Sequence, residues 1–143
     1  MRRVTPPLFL FSFVDISATQ QGEKMFQRLF ELIANAGLIV RLNNIDCHYN
    51  YMSRSINIKP EQIVDMSKGC LLSKVEVEFY TTLHEFGHSL QPVEMIDKAH
   101  MTGNFYPLEE DAWNRAEEVY KENWGNPPEE FYMFRDYSLD TYK

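Results

Sequence analysis

Residues 73–92 read SKVEVEFYTTLHEFGHSLQP, and both the fold and the chemistry turn on how this stretch is wound. Ser73 with Glu76 three residues later has the form of a capping box: the serine oxygen accepts from a first-turn N–H and the glutamate reaches back. Phe79, Leu83, Phe86 and Leu90 recur at three- and four-residue steps, which is one face of a helix. Pro92 ends the run because it lacks the N–H a helix interior needs. The spacing therefore predicts a helix with the letters H-E-x-x-H, residues 84–88, inside it.

That placement gives the motif its meaning. Two residues four apart on a helix share a face about 6 Å apart along the axis. His84 and His88 so placed bring two imidazole nitrogens within reach of one zinc ion, which takes nitrogen ligands at about 2.0–2.1 Å. Glu85 stands one step round the helix, poorly placed to ligate but well placed to take a proton from the metal's water. Two surface histidines flanking a solvated glutamate would spell the same letters, but the helical context argues against that reading. Gly87 points the same way. A helix interior loses about 1 kcal/mol with glycine in place of alanine, so a glycine beside a ligand fits close approach of another segment or of the metal, or else is simply tolerated in a helix held by other contacts.

The third ligand sets the class. A metzincin-like continuation needs glycine at 91 and histidine at 94, where Gln91 and Glu94 stand, so that pattern fails. The stretch LEEDAWNRA, residues 108–116, offers a better candidate. Glu109, Ala112 and Ala116 share one helical face, and small alanines beneath a carboxylate allow two helices to sit close. Glu110 is the alternative, but it shares its face with Trp113, Asn114 and Glu117, which reads as a rim. Acids also favour any first helical turn through the macrodipole, which accounts for three acids but not for the alanine stripe. Tyr106 and His100 are candidates for stabilising an oxyanion opposite the base. Asp111 or Asn114 could orient a ligand histidine from behind. His48 beside Cys47 resembles a metal pair, but neighbours on a strand point to opposite faces, which favours a structural role.

Around this centre the chain reads as strand, helix, strands, helix, loop, helix. The apolar run Leu8 to Val14 suits a buried strand better than a leader, since Pro6-Pro7 precedes it and Asp15 stops it. Ser17 to Gln20 looks like a second capping box, followed by Met25, Phe26, Leu29, Phe30, Leu32, Ile33 and Ala36 at helical spacing and Gly37 as a left-handed cap. Leu38 to Leu42 and the stretch from Ile45 to Ile58 carry strand material. Residues 61–72 suggest a short helix followed by a loop at Lys68-Gly69-Cys70, and a second loop is expected at about 97–106 before Pro107 opens a helix that Gly125 breaks. The expected architecture is α+β: one zincin-like domain over residues 1–143, helices on a short, mostly antiparallel sheet, with 1–15 and 126–143 peripheral.

Composition narrows the partners. A formal charge of -7, with Arg2-Arg3 as the only adjacent basic pair, repels phosphate backbones and argues against nucleic acid. No run approaches the roughly 20 apolar residues of a membrane span. Two cysteines without C-x-x-C spacing suggest reduced thiols and a cytoplasmic protein.

These motifs resemble the gluzincin-type metallopeptidases and, more narrowly, the zincin-like domains of the ImmA/IrrE and ArdC-type antirestriction families of phages and mobile elements. The resemblance lies in Ile56 to Pro60, in Phe79 to His88, and in Glu109 with Ala112 and Ala116, and covers about residues 56–119. The continuation Ser89-Leu90-Gln91-Pro92 after His88 departs from the family pattern. The resemblance implies a Zn2+ held by His84, His88 and Glu109, Glu85 as general base, and a protein or peptide substrate, including regulatory proteins such as repressors. A strand over residues 55–58 is expected to hold such a substrate at the sheet edge. The competing expectation is a catalytically silent zincin-like protein whose acidic surface sequesters a host or regulatory partner.

Overall fold

The structure, a computed structural model, describes residues 16–143, with side chains from residue 21 onward. The expected strand at 8–14 and the side-chain cap at Ser17 lie outside the described residues. Helix α1 (Ile16–Asn35) is followed by strands β1 (Ile39–Leu42), β2 (His48–Asn50) and β3 (Ser55–Ile58). Helices α2 (Pro60–Cys70), α3 (Lys74–Ser89), α4 (Val93–Thr102), α5 (Tyr106–Trp124) and α6 (Glu129–Asp140) complete the chain. The α+β class expected from the sequence is the one found.

Phe26, Leu29, Phe30 and Ile33 of α1 are all buried, so the periodic stripe does face the core. Gly37 takes φ 78° after the helix, and the Leu38 N–H bonds to the Ile33 carbonyl across this left-handed turn. The sheet runs β1-β3-β2, with a parallel ladder between β1 and β3 and an antiparallel one between β2 and β3. Strand β3 is thus central, paired on both sides, and cannot add a further strand. The edges are instead β1 and β2. Alternation misleads at 55–58 because both faces of β3 are covered: Ile56 and Ile58 are buried, and so are Ser55 and Asn57. The Asn57 amide satisfies itself by donating to the Ser55 hydroxyl at 3.0 Å.

Helix α3 is the axis of the molecule. Ser73 and Glu76 form both arms of the capping box. From Val77 to His88 every residue is buried, because α1, α2, α5, α6 and the sheet surround it. A helix buried all round is a core helix rather than an amphipathic one. Leu90, counted in the apolar stripe, is exposed. Where a loop was expected, α4 is a helix between Pro92 and Gly103, the latter at φ 70°. Its polar letters face outward, while Ile96 and Ala99 join Leu108 in a small separate cluster. In α6, Phe131 and Phe134 pack edge-on against Trp113 of α5. Among the described residues no helix is long and apolar enough to cross a membrane.

The closest approach is between α3 and α5. A Cβ on Gly87 would lie 2.4 Å from the Ala112 carbonyl oxygen and 3.4 Å from the Ala116 nitrogen. The glycine is there because backbone meets backbone, and the two alanines make the matching groove. This contact sets α5 against α3 so that Glu109, one turn upstream of Ala112, faces the histidines.

Candidate metal centre

His84, Glu85 and His88 are buried together, with donor atoms all within 4.8 Å of one another. Glu109 reaches them from α5: its Oε2 lies 2.5 Å from His88 Nε2 and 3.2 Å from His84 Nε2. The two imidazoles stand 4.6 Å apart between centroids. Despite these distances Glu109 Oε2 makes no hydrogen bond of acceptable angle. A buried carboxylate oxygen thus faces two imidazole nitrogens with no hydrogen-bond partner among the described residues, the arrangement expected of ligands aimed at a shared cation.

His88 has a fixed tautomer. Its Nδ1 contacts Gln91 Oε1 at 2.7 Å, while Gln91 Nε2 donates to the Leu108 carbonyl at 2.8 Å and to Asp111 Oδ2 at 2.9 Å. The amide nitrogen is spoken for, so Oε1 must accept and His88 Nδ1 must carry the proton. That leaves Nε2 as the ring nitrogen that faces Glu109. Arg115 Nε donates to the same Asp111 oxygen at 2.7 Å, locking the far end of the chain. His84 is held differently. Its ring stacks on Trp113 at 4.4 Å with 20° between planes, and its Nδ1 has no hydrogen-bond partner among the described residues.

The electrostatics fit a site built for a cation. Burial would raise the Glu109 carboxyl, but the contacts and charges of His84 and His88 hold it well below the usual range. Burial would lower the His88 imidazole, but its contacts with Glu109 and Gln91 and the charges of Glu85 and Glu109 lift it to about 9. Burial raises the Glu85 carboxyl, opposed by the neighbouring imidazoles. The same converging nitrogen and oxygen donors can hold a divalent ion. Two imidazoles and one carboxylate are ligands zinc favours. The residues fit the metal.

The site opens into a cleft of about 610 Å³, walled by β2, α3, α5 and the end of α6. The structure brings His84, Glu85, His88 and Glu109 together. Glu110 is exposed on the outer side of α5, and so is Asn114. His100 lines the cleft, its ring edge-on to Phe105 at 5.2 Å. Tyr106 is half-buried against the main core and is not among the cleft-lining residues. Asp111 reaches His88 through Gln91.

Gln91 and Tyr142 escaped the sequence reading, and His48 was read as structural. Gln91 was legible only as a departure from another pattern, although its three-residue step from His88 places it on the histidine's own turn. His48 lies on the cleft wall with Nδ1 2.6 Å from Asp46 Oδ1. Tyr142 follows α6 and lines the same cleft. Gln91→Leu is expected to weaken metal binding about 10–100-fold while the fold persists. Zinc titration against a competing chelator measures this, and unchanged affinity would remove Gln91 from the centre.

No protein-family model, curated protein or solved structure matches the chain. Fold and site together define a class: an α+β domain with a zincin-like, HExxH-type metal-binding motif on its central helix.

Proposed function

We propose that this chain is a zinc-dependent metallopeptidase of the gluzincin type, akin to the ImmA/IrrE and ArdC-type families, that acts on a regulatory protein. The observation that carries the reading is the convergence of His84, His88 and Glu109 from two helices, with Glu85 buried beside them. A zinc ion held there would polarise a peptide carbonyl and acidify a water. Glu85 takes the water's proton as general base and passes it to the departing amine. Burial favours this exchange, because a carboxyl whose neutral form is stabilised holds the proton long enough to deliver it.

Strand β2 supports a peptide substrate. It is one of the two edge strands of the sheet among the described residues, and His48, Tyr49 and Asn50 all line the cleft. An extended chain can pair with such an edge and lie across the centre. Cys47 and Cys70 are free, which suits a reducing compartment such as the cytoplasm.

Metal analysis tests the reading. The purified protein is expected to carry one zinc per chain, and His84→Ala to lose it. Zinc content that is absent from the parent, or unchanged in the variant, would end the proposal.

A further inference from the structure

The helix after the metal centre presents an unassigned group to it. Phe134, Ser138 and Tyr142 lie four residues apart and all line the cleft, so one stripe of α6 and its continuation faces the site. The helical winding does not stop at Asp140. The Thr141 N–H bonds to the Ser138 carbonyl at 3.2 Å and the Tyr142 N–H to the Leu139 carbonyl at 3.0 Å. Lys143 then pairs with Asp140 at 2.9 Å. The turn holds the Tyr142 backbone in place, and its side chain lines the cleft together with Glu85 and Glu109. At 43% exposure the side chain can meet an incoming ligand.

We propose that Tyr142 donates the hydrogen bond that stabilises the anionic oxygen of a ligand bound at the metal centre. This rests on the metallopeptidase reading. Its phenol has one proton to donate, and it lines the same cleft as His84, Glu85, His88 and Glu109. In peptide hydrolysis that anion arises when the water oxygen adds to the carbonyl carbon and Glu85 takes the water proton. The carbonyl π pair then rests on oxygen, where the Tyr142 O–H meets it without giving up its proton. When the C–N bond breaks, the amine takes the proton from Glu85 and the oxygen pair reforms C=O. Such donors act because they are already aimed at where charge develops.

The test needs no substrate. Cobalt(II) replaces zinc in the purified protein, and acetohydroxamate, a small metal-binding anion, is titrated while the visible d–d bands are followed. Tyr142→Phe is expected to retain one cobalt per chain with unchanged affinity and to raise the acetohydroxamate Kd about tenfold or more. Equal acetohydroxamate affinity in parent and variant would overturn the proposal. So would loss of cobalt from Tyr142→Phe, which would make the tyrosine a positioning residue for Glu109. Tyr106→Phe and His100→Ala run alongside, and a tenfold effect in either but not in Tyr142→Phe would also overturn it. A parent protein that binds no cobalt would instead defeat the metallopeptidase reading itself.

Discussion

Glu85→Gln is expected to keep its full complement of zinc and to cut labelled casein at least about 1000-fold more slowly than the parent. The amide has nearly the volume of the carboxylate, so the buried site keeps its packing. Glu85 is also not the carboxylate that bridges the imidazoles; Glu109 is. What the substitution removes is a proton acceptor beside the reacting water. Metal analysis and a cleavage assay on the same preparations separate the two properties. Undiminished cleavage would reject the role given to Glu85. If the parent cleaves nothing and both proteins capture the same partner, the binding-protein reading is the better one.

Gly87→Ala is expected to cost about 2–3 kcal/mol of stability and to weaken zinc binding at the same time. On helix propensity alone the substitution would stabilise by about 1 kcal/mol, so the sign of the result is diagnostic. The added methyl would sit 2.4 Å from the Ala112 carbonyl oxygen, a backbone atom that moves only if the whole of α5 moves. Glu109 lies three residues before Ala112 on that helix, so relieving the clash draws the carboxylate away from His84 and His88. Denaturant unfolding with and without zinc measures both losses. A variant as stable as the parent would show that the helices are not in contact there.

The parts legible in the sequence are those that need only the winding of one helix. The pair His84–His88, the capping box at Ser73 and the face shared by Glu109, Ala112 and Ala116 follow from helical spacing alone, and the structure places them accordingly. Glycine opposite two alanines was a hint at contact between segments, and it is the contact that brings the two halves of the centre together. The remainder depends on neighbours distant in the chain. Strand β3 reads as half-exposed because nothing local announces that it is flanked on both sides. Helix α4 is hidden by its outward Asp, Lys and His residues, with only Ile96 and Ala99 to mark an inner face. His48 reads as structural because the argument from strand faces cannot show that a cleft lies beside it. Tyr142 comes to the cleft because Phe131 and Phe134 seat α6 against Trp113.

The enclosure of α3 bears on how the ion would come and go. Twelve consecutive residues, from Val77 to His88, are buried, and the face that carries His84, Glu85 and His88 lines the cleft, so local fraying is not expected to release one histidine while the rest of the helix stays folded. The cleft is then the route for exchange of a hydrated cation, and wholesale opening of the fold is the only alternative to it. A chelator too bulky for that passage should strip the metal no faster than the protein unfolds.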